Sequence, residues 1–295
     1  MAGAPAGLRA ALEGRPIERP LRAPLLAALA AEVEDLDLRE FLANAGKRSR
    51  ILAGLASSMP IDVLVLDSGS GWDAEAVGLR TDWDGGYPPR IRAARGVDLR
   101  FDPVRGGAAV ILDLLQRIQA VAPAGVSVGV TLVGPGALVA AADGAIGLPA
   151  ATQLVLAAAR AVAEAGAGVV IVREEGGADV DTAAYRAATA PLWRSLQFFR
   201  SVGVLQVDGV ADPWAEVLAG AGPFLPVFNA LPSPGAAAAV ARAARAYGLA
   251  LTPGVGHSLD SDLRSDRCAL LTHDRDLAGQ VPVRDAIGVA AAMTI

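Results

Sequence analysis

Short apolar runs alternate along the chain with longer, alanine-rich amphipathic stretches. The runs consist mainly of valine, isoleucine and leucine without polar alternation, which is typical of parallel strands that are covered on both faces. The predicted strands are Ala23–Ala28, Asp62–Leu66, Val126–Val133, Gly168–Val172, Gly203–Val207, Phe224–Phe228, Leu249–Thr252 and Cys268–Thr272. Eight strands alternating with helical stretches predict a closed (β/α)8 barrel, the TIM-barrel class of α/β folds.

The stretches between these runs have the periodicity of covering helices. The clearest are Arg39–Ser57, Ala151–Ala165, Ala184–Ser201, Asp212–Ala219 and Gly235–Tyr247. Residues 80–105, which are rich in glycine, proline and aspartate, interrupt the unit after the second strand and predict a lid or a small hairpin. Because no other boundary or repeat is visible, residues 1–295 are interpreted as one barrel domain.

Composition and charge limit the kinds of partner that we expect the chain to bind. The formal net charge is −5 and the charges are interspersed, so no basic stripe predicts nucleic-acid binding. The apolar runs fall well short of the roughly 20 residues that a membrane span requires, and Met1–Glu18 lacks the apolar segment of a signal peptide. One cysteine, Cys268, excludes an internal disulfide framework. We expect a cytoplasmic protein that binds a small molecule, with a homodimer as a possible assembly.

Polar residues follow most of the predicted strands. Active sites of TIM barrels lie at the carboxyl ends of the strands, so these residues are the ones to inspect. They are Asp67-Ser68-Gly69, Gly134-Pro135, Arg173-Glu174-Glu175, Asp208-Gly209, Asn229, Pro253–His257 and His273-Asp274. If the barrel closes, the acidic and imidazole groups among them gather at one mouth.

Three of these residues are candidate catalytic groups. His273 can donate or accept a proton near neutral pH, or can simply bond a neighbouring carboxylate. Asp67 ends an apolar strand, where an unpartnered carboxylate is costly to bury, so it either faces the mouth or bonds a backbone amide. Glu174 either faces the substrate or is a surface charge. If Asp67 and Glu174 lie close together, one of the two pKa values rises and that carboxyl becomes a general acid.

Other residues are candidates for substrate binding. Arg173 can hold a substrate carboxylate with two hydrogen bonds, or can pair with the glutamates that follow it. Trp72 can cover a flat substrate by stacking, or can anchor its loop. His257 ends a glycine-rich loop that either approaches an anion or forms a turn. Asn229 ends the sixth strand and is included for its position.

The stretch from Pro60 to Gly78, in which Asp62 opens the strand, resembles the second barrel strand of the uroporphyrinogen decarboxylase superfamily. Further similar segments follow in order: Arg15–Pro20, Glu40–Lys47, Gly134–Leu138, Glu164–Glu174, Leu271–His273 and Val281-Pro282. The superfamily also holds cobalamin-dependent methyltransferases and cobalamin-independent methionine synthase. The resemblance covers about Arg15 to Met293 and implies a TIM barrel with a small-molecule site at its mouth.

The chain departs from the decarboxylase pattern at several positions. The resemblance implies an aspartate after the second strand, where Gly69 stands, with Asp67 two residues earlier on the same side of an extended strand. Ala141 stands for the family's tyrosine and Glu175 for its serine, while His273 matches its histidine. The pair of arginines that bind substrate carboxylates after the first strand is absent.

The chain also departs from the zinc-dependent methyltransferases of the superfamily. These carry a His-x-Cys on strand five and a cysteine on strand eight, where this chain has Gln206-Val207-Asp208 and Thr272-His273. A thiolate zinc site is therefore excluded. Asp208, His273 and Glu174 would form an oxygen-rich set that suits a harder divalent metal, if any is bound. Asp208 and Gln206 are otherwise candidates for substrate binding.

We expect a uroporphyrinogen decarboxylase-like lyase that decarboxylates a cyclic or aromatic small molecule other than uroporphyrinogen and requires no cofactor. His273 or Asp67 would protonate the carbon as carbon dioxide leaves, and Glu174 or Arg173 would set the orientation of the substrate. One alternative is a methyltransferase that takes a methyl group from a corrinoid or folate carrier, with a corrinoid protein as a partner. The other is a ligand-binding barrel without catalytic activity.

Overall fold

Eight parallel strands form the wall of a TIM barrel, as the sequence predicts. The computed structural model describes residues 3–84, 86–92, 99–143, 146–175, 181–208, 212–219, 222–229, 244–251, 267–273 and 276. The strands in chain order are β1 (Leu21–Ala23), β2 (Val63–Val65), β3 (Arg80–Asp82), β4 (Arg90–Arg92), β5 (Ser127–Val133), β6 (Val169–Glu175), β7 (Val202–Asp208), β8 (Leu225–Asn229), β9 (Tyr247–Leu251) and β10 (Cys268–His273).

Most of the helices cover the outside of this wall. They are α1 (Ala6–Leu12), α2 (Ala27–Val33), α3 (Leu38–Leu42), α4 (Ala45–Ser58), α5 (Trp72–Ala76), α6 (Ala108–Val121), α7 (Pro135–Ala141), α8 (Leu148–Glu164), α9 (Thr182–Phe198) and α10 (Asp212–Ala219). None of the helices within the described ranges has the length and apolarity that a membrane span requires.

The strand order is β1-β10-β9-β8-β7-β6-β5-β2, and all of these pairings are parallel. A parallel bridge between Leu25 and Val65 joins the two ends of the sheet. The amide of Asp62 also donates to the carbonyl of Arg22 at 2.9 Å. Because β1 thus lies beside β2, the carboxyl ends of all eight strands surround one mouth.

Strand alternation separates two apolar layers. Val169 and Ile171 belong to the cluster inside the barrel, whereas Val170 and Val172 pack in the cluster beneath the helices. Leu8 of α1 also belongs to the interior cluster, so this helix closes the amino-terminal end of the barrel. Since successive side chains of a strand point to opposite faces, the residues at the end of each strand point alternately into the barrel and toward the helices.

The first predicted strand differs from the observed one. The ladder ends at Ala23, and α2 begins at Ala27, inside the predicted strand. Pro24 lacks the amide hydrogen that a ladder needs. The carboxylate of Asp276 accepts hydrogen bonds from the amides of Ala28 and Leu29, at 2.9 and 3.0 Å, and so stabilises the start of α2 instead.

One helix prediction differs in detail, and another can be compared only at its end. The stretch predicted from Arg39 to Ser57 is divided into α3 and α4, because Asn44 caps the second helix by accepting from the amide of Lys47 at 2.8 Å. The helix predicted at Gly235–Tyr247 lies mostly outside the described residues, and Tyr247 is the first residue of β9.

An antiparallel hairpin, β3–β4, projects from the unit between β2 and α6, within the excursion at residues 80–105. Arg80 pairs with Arg92 and Asp82 with Arg90. The turn between the strands carries Tyr87 and Pro88 back over the carboxyl end of β2, where Pro88 borders a cavity. This hairpin therefore covers part of the barrel mouth.

Candidate active site

A cavity of about 500 Å³ lies at the carboxyl ends of β2, β5 and β6, beneath the β3–β4 hairpin. Its charged wall consists of Asp67, Asp73, Arg90, Arg173 and Glu174. Its remaining wall comes from Gly69, Thr131, Leu132 and Val133, from Ala137, Ala140 and Ala141 of the α7 segment, and from Pro88, Pro89 and Ile91 of the hairpin. The cavity is thus large enough for a small organic molecule and carries both signs of charge.

Asp67 is fully buried at the end of β2. Its Oδ1 accepts hydrogen bonds from the amides of Gly69 and Ser70, each at 2.9 Å. Its carbonyl accepts from the hydroxyl of Thr131 at 2.8 Å, which ties the loop to β5. The carboxylate therefore shapes the turn after β2, in agreement with the amide-bonded alternative that the sequence left open.

Arg48 of α4 supplies the positive charge beside Asp67. The distance from its Nη2 to Oδ2 of Asp67 is 3.6 Å, and both side chains are almost wholly buried. Arg48 also donates to the carbonyls of Leu42 and Leu66, at 3.0 and 2.7 Å. Burial lowers the pKa of Arg48, and the charge of Asp67 opposes that shift. Because both groups are buried, removal of either one would leave the other as an unpaired buried charge and would destabilise the fold.

Glu174 is held by a helix terminus. Its Oε1 accepts from the amide of Gly136 at 3.0 Å and from the hydroxyl of Tyr185 at 2.8 Å, and its Oε2 accepts from the amide of Ala137 at 2.8 Å. Strand alternation explains this orientation, since Glu174 shares the helix-facing side with Val172. The carboxylate thus satisfies the first amides of α7 and binds them as an anionic ligand would.

Arg173 lies on the opposite side of β6, in line with Val169 and Ile171 of the barrel interior. Its side chain is partly exposed to the cavity, and its Nη1 donates to the carbonyl of Ser68 at 3.1 Å. This bond holds the guanidinium across the mouth, close to the turn that follows β2. The group is therefore placed where it can contact a ligand in the cavity.

Asp73, in the first turn of α5, is a site residue that the sequence reasoning missed. Its Oδ2 accepts from the amide of Val133 at 2.5 Å, and only 6% of the residue is exposed. Burial raises the pKa of Asp73 to about 7, and the nearby charge of Asp67 adds to the rise. Near neutral pH this carboxyl is therefore protonated in a substantial fraction of molecules.

A hydrogen-bonded chain ties the hairpin to the barrel. The hydroxyl of Tyr87 lies 2.7 Å from Oγ of Ser68, which donates to Oδ2 of Asp276 at 2.6 Å. Tyr87 is partly buried, and loss of solvent around it raises its pKa well above the ordinary value, so the phenol stays protonated. Ser68 therefore links three parts of the site: the hairpin, the start of α2 and, through its carbonyl, Arg173.

The other predicted residues lie elsewhere. His273 is buried and shares the helix-facing side of β10 with Leu271, and it is not among the described residues that border the cavity. Gln206 is fully buried, and its Nε2 lies 3.4 Å from the carbonyl of His273. Trp72 is buried beside a separate, smaller cavity. His257 lies outside the described residues.

Only the backbones of Asp208, Asn229 and Glu175 are described, so the predicted roles of Asp208 and Asn229 stay predictions. Among the residues that the structure describes, no three histidine, cysteine, aspartate or glutamate side chains group as metal ligands. The set of Asp208, His273 and Glu174 is not tested as a whole, because the structure describes only the backbone of Asp208. Burial raises the pKa of the Cys268 thiol to about 12, so it is not a ready thiolate.

No family model and no curated protein matches the chain. Similar solved structures include a methyltransferase from Methanosarcina mazei, with 15% identity, a TM-score of 0.68 and 97% of each chain covered. The homocysteine methyltransferase MmuM from Escherichia coli has 14% identity and a TM-score of 0.56, covering 98% of this chain and all of that one. A 2,3-dimethylmalate lyase of the PEP mutase/isocitrate lyase superfamily has 15% identity and a TM-score of 0.54, covering 98% of this chain and 84% of that one.

At these identities the likeness shows the fold alone. Methyltransferases and a lyase both use the same barrel, so the comparisons do not choose between the two chemistries. The uroporphyrinogen decarboxylase superfamily itself is not identified by them. Function must therefore be argued from the cavity.

The close contact between Glu174 and α7 predicts that a side chain at Gly134 destabilises the fold. A Cβ at Gly134 would overlap the carboxyl carbon of Glu174, whereas a Cβ at Gly54 in α4 would meet no atom within 4 Å. We expect Gly134→Ala to lower the free energy of unfolding by about 1–3 kcal/mol, as overpacking does. Gly54→Ala should leave it unchanged or raise it by up to about 1 kcal/mol. Urea denaturation measures both, and equal effects would contradict the account of Glu174.

The raised pKa of Asp73 predicts a pH dependence of stability. Because the folded state holds this proton more tightly than the unfolded chain, the stabilisation is complete below the usual pKa of 3.8 and is lost as pH rises through about 7. The loss is on the order of 4 kcal/mol. Urea denaturation at several pH values should show this decline in the wild type and in exposed Asp84→Asn, but not in Asp73→Asn. A decline that persists in Asp73→Asn would reject the assignment.

Proposed function

We propose that the chain is a decarboxylase-type lyase that acts, without a cofactor, on a carboxylated small molecule bound in the 500 Å³ cavity. One observation carries the proposal. A buried carboxyl whose pKa is raised to about 7, that of Asp73, borders the same cavity as the guanidinium of Arg173. A proton donor and a carboxylate-binding group thus face one ligand.

Arg173 is the proposed substrate-binding group. It lies on the interior side of β6, borders the cavity, and donates one hydrogen bond to the carbonyl of Ser68, which places its guanidinium across the mouth. Arginine binds a carboxylate through two parallel hydrogen bonds and so fixes its orientation. Arg90 of the hairpin also borders the cavity and adds positive charge there. An anionic substrate is therefore favoured at this end of the cavity.

Asp73 is the proposed proton donor, in place of His273. When the carbon–carboxylate bond of the substrate breaks, carbon dioxide leaves and the bonding electron pair remains on the substrate carbon. Asp73 then transfers its proton to that carbon and regains one from solvent. The electron pair needs a keto or conjugated group in the substrate to accept it, and a cyclic or aromatic acid can supply one.

The other acids of the wall have different roles in this proposal. Both oxygens of Glu174 accept hydrogen bonds from α7 and Tyr185, so Glu174 positions the wall rather than transferring a proton. Asp67 shapes the turn that carries Ser68 and adds negative charge near Asp73. That charge keeps the proton on Asp73 until a stronger base, the forming carbanion, takes it.

The test uses release of labelled carbon dioxide from a panel of carboxyl-labelled aromatic and heterocyclic acids. With an acid that the wild type turns over, Asp73→Asn should reduce kcat by about 10²–10⁴, as expected for loss of a general acid. Arg173→Gln should chiefly raise KM. The wild-type rate should fall as pH rises through about 7, because the protonated form of Asp73 is required.

Asp84→Asn is the matched control, since this exposed aspartate does not border the cavity and should keep the wild-type rate. Circular dichroism would establish that the Asp73→Asn variant is folded. Undiminished turnover in folded Asp73→Asn would reject the proton donor. Methyl transfer from a corrinoid or folate carrier, or tight binding of the acids with no turnover, would reject the lyase in favour of the alternatives.

A further inference from the structure

Two arginines border the proposed decarboxylation cavity from different elements. Arg173 reaches it from β6 of the barrel wall, and Arg90 reaches it from β4 of the hairpin. A Cβ placed on Gly69 would lie 3.6 Å from Cβ of Pro88 and 3.7 Å from Nη1 of Arg173, so the guanidinium of Arg173 lies near the turn of the hairpin. Arg90 follows Pro88 by two residues. The positive charge of the cavity wall is therefore found where the hairpin meets the barrel.

Arg90 is exposed, and its charge is not used by an ion pair within the hairpin. Asp82 lies opposite Arg90 in the antiparallel pairing, but its Oδ2 accepts from Nε of Arg92 at 2.8 Å and lies 2.8 Å from Nη2 of the same residue. No ion pair between described residues includes Arg90. Its guanidinium can therefore bind an anion that enters the cavity.

The carboxyl groups of the same wall are held by other groups. Glu174 accepts three hydrogen bonds at its two oxygens. Asp67 accepts two from backbone amides and lies beside Arg48. Burial keeps the proton on Asp73 up to about pH 7. A ligand anion, rather than a carboxylate of the wall, is therefore the partner that Arg90 can bind in the cavity.

An arginine is a poor partner for a carboxylate that departs as carbon dioxide. A guanidinium stabilises the carboxylate of the bound substrate, and that stabilisation is lost in the transition state as the charge moves to the substrate carbon. A carboxylate that stays on the product keeps its charge throughout, so an arginine can bind it without opposing the reaction. The arginines therefore suit a retained acid group, and the departing group needs another place in the cavity.

The proton donor indicates that place. Asp73 is held at the amide of Val133, whereas the guanidinium of Arg173 is held at the carbonyl of Ser68. The departing carboxylate must lie beside Asp73, because the carbon that it leaves takes the proton of that residue. The proton donor and the cations thus contact different groups of one substrate.

We propose that the substrate is a dicarboxylic acid, an inference that rests on the proposed lyase function and specifies its substrate class. Arg173 and Arg90 bind the retained carboxylate, and the departing carboxylate lies beside Asp73. The bond between the substrate carbon and the departing carboxylate breaks, its electron pair takes the proton of Asp73, and the products are one carbon dioxide and a monocarboxylate. Arg90 is then a residue of the hairpin that determines substrate specificity.

The experiment is isothermal titration calorimetry of the full chain with benzoate and with the 1,2-, 1,3- and 1,4-isomers of benzenedicarboxylate, at pH 6 and constant ionic strength. At this pH Asp73 is mostly protonated and can donate to a second carboxylate. We expect at least one diacid to bind about tenfold more tightly than benzoate, the effect of one charge-assisted hydrogen bond. Arg90→Gln should weaken binding of that diacid by about tenfold for the same reason. Arg80→Gln, at an exposed arginine of the same hairpin that does not border the cavity, should leave it unchanged.

The proposal would be overturned if none of the three diacids binds more tightly than benzoate. It would also be overturned if Arg90→Gln and Arg80→Gln weaken binding equally, because that result indicates a general effect of charge.

Release of labelled carbon dioxide separates this inference from the lyase function itself. A diacid labelled in both carboxyl groups should release half of its label and leave the rest in a monoacid. Equal turnover of monoacids and of the matching diacids would reject the dicarboxylic substrate and leave the lyase standing. Tight binding of a diacid that depends on Arg90, without carbon dioxide from any acid, would reject the lyase and leave the binding specificity standing.

Discussion

Burial of carboxyl groups at the mouth of the barrel is the constraint on which the site depends. An ionised carboxylate taken from water needs hydrogen bonds or an opposite charge, or else it keeps its proton. The three buried carboxyl groups of the site differ in which of these solutions they use. Asp67 receives two amide hydrogen bonds and lies beside Arg48. Glu174 receives the amides of α7 and the hydroxyl of Tyr185.

Of the three carboxyl groups, Asp73 is the one whose ionised form the surroundings stabilise least. The amide of Val133 donates to it, but burial removes it from water and the negative charge of Asp67 disfavours its ionisation. The proton is therefore retained up to about neutral pH. The supports given to the other two acids thus leave one carboxyl chemically different from the rest. The proposal that Asp73 is the proton donor and Glu174 a structural group rests on this difference.

The strands were predictable because uninterrupted apolar runs between glycine- and proline-rich turns have few alternatives in a chain of this length. Because these runs are apolar throughout, the sequence does not show the direction in which each side chain points. In a strand that is apolar on both faces, as in Val169–Val172, the pattern does not reveal which face lies inside the barrel. The sequence therefore placed Glu174 and His273 at the mouth but could not show that strand alternation directs both toward the helices.

The burial of Asp73 had no local signal at all. Asp73 and Asp84 both lie in polar segments near glycines, yet Asp84 is exposed in the hairpin whereas Asp73 is buried against Val133 at the end of β5. The role of Asp276 could not be predicted either, because it caps α2 from 248 residues away along the chain. Contacts of this kind arise from closure of the barrel, which joins the last strand to the first, and not from any pattern along the chain.

The most direct measurement is a pH titration of carboxyl carbon chemical shifts by nuclear magnetic resonance, on protein labelled with ¹³C at its aspartate carboxyl groups. Asp73 is assigned as the resonance that is missing from the spectrum of Asp73→Asn. The account predicts that this resonance titrates with a pKa of about 7. Titration at or below the ordinary aspartate range, near 4, would show that Asp73 is ionised at neutral pH and would contradict the central claim.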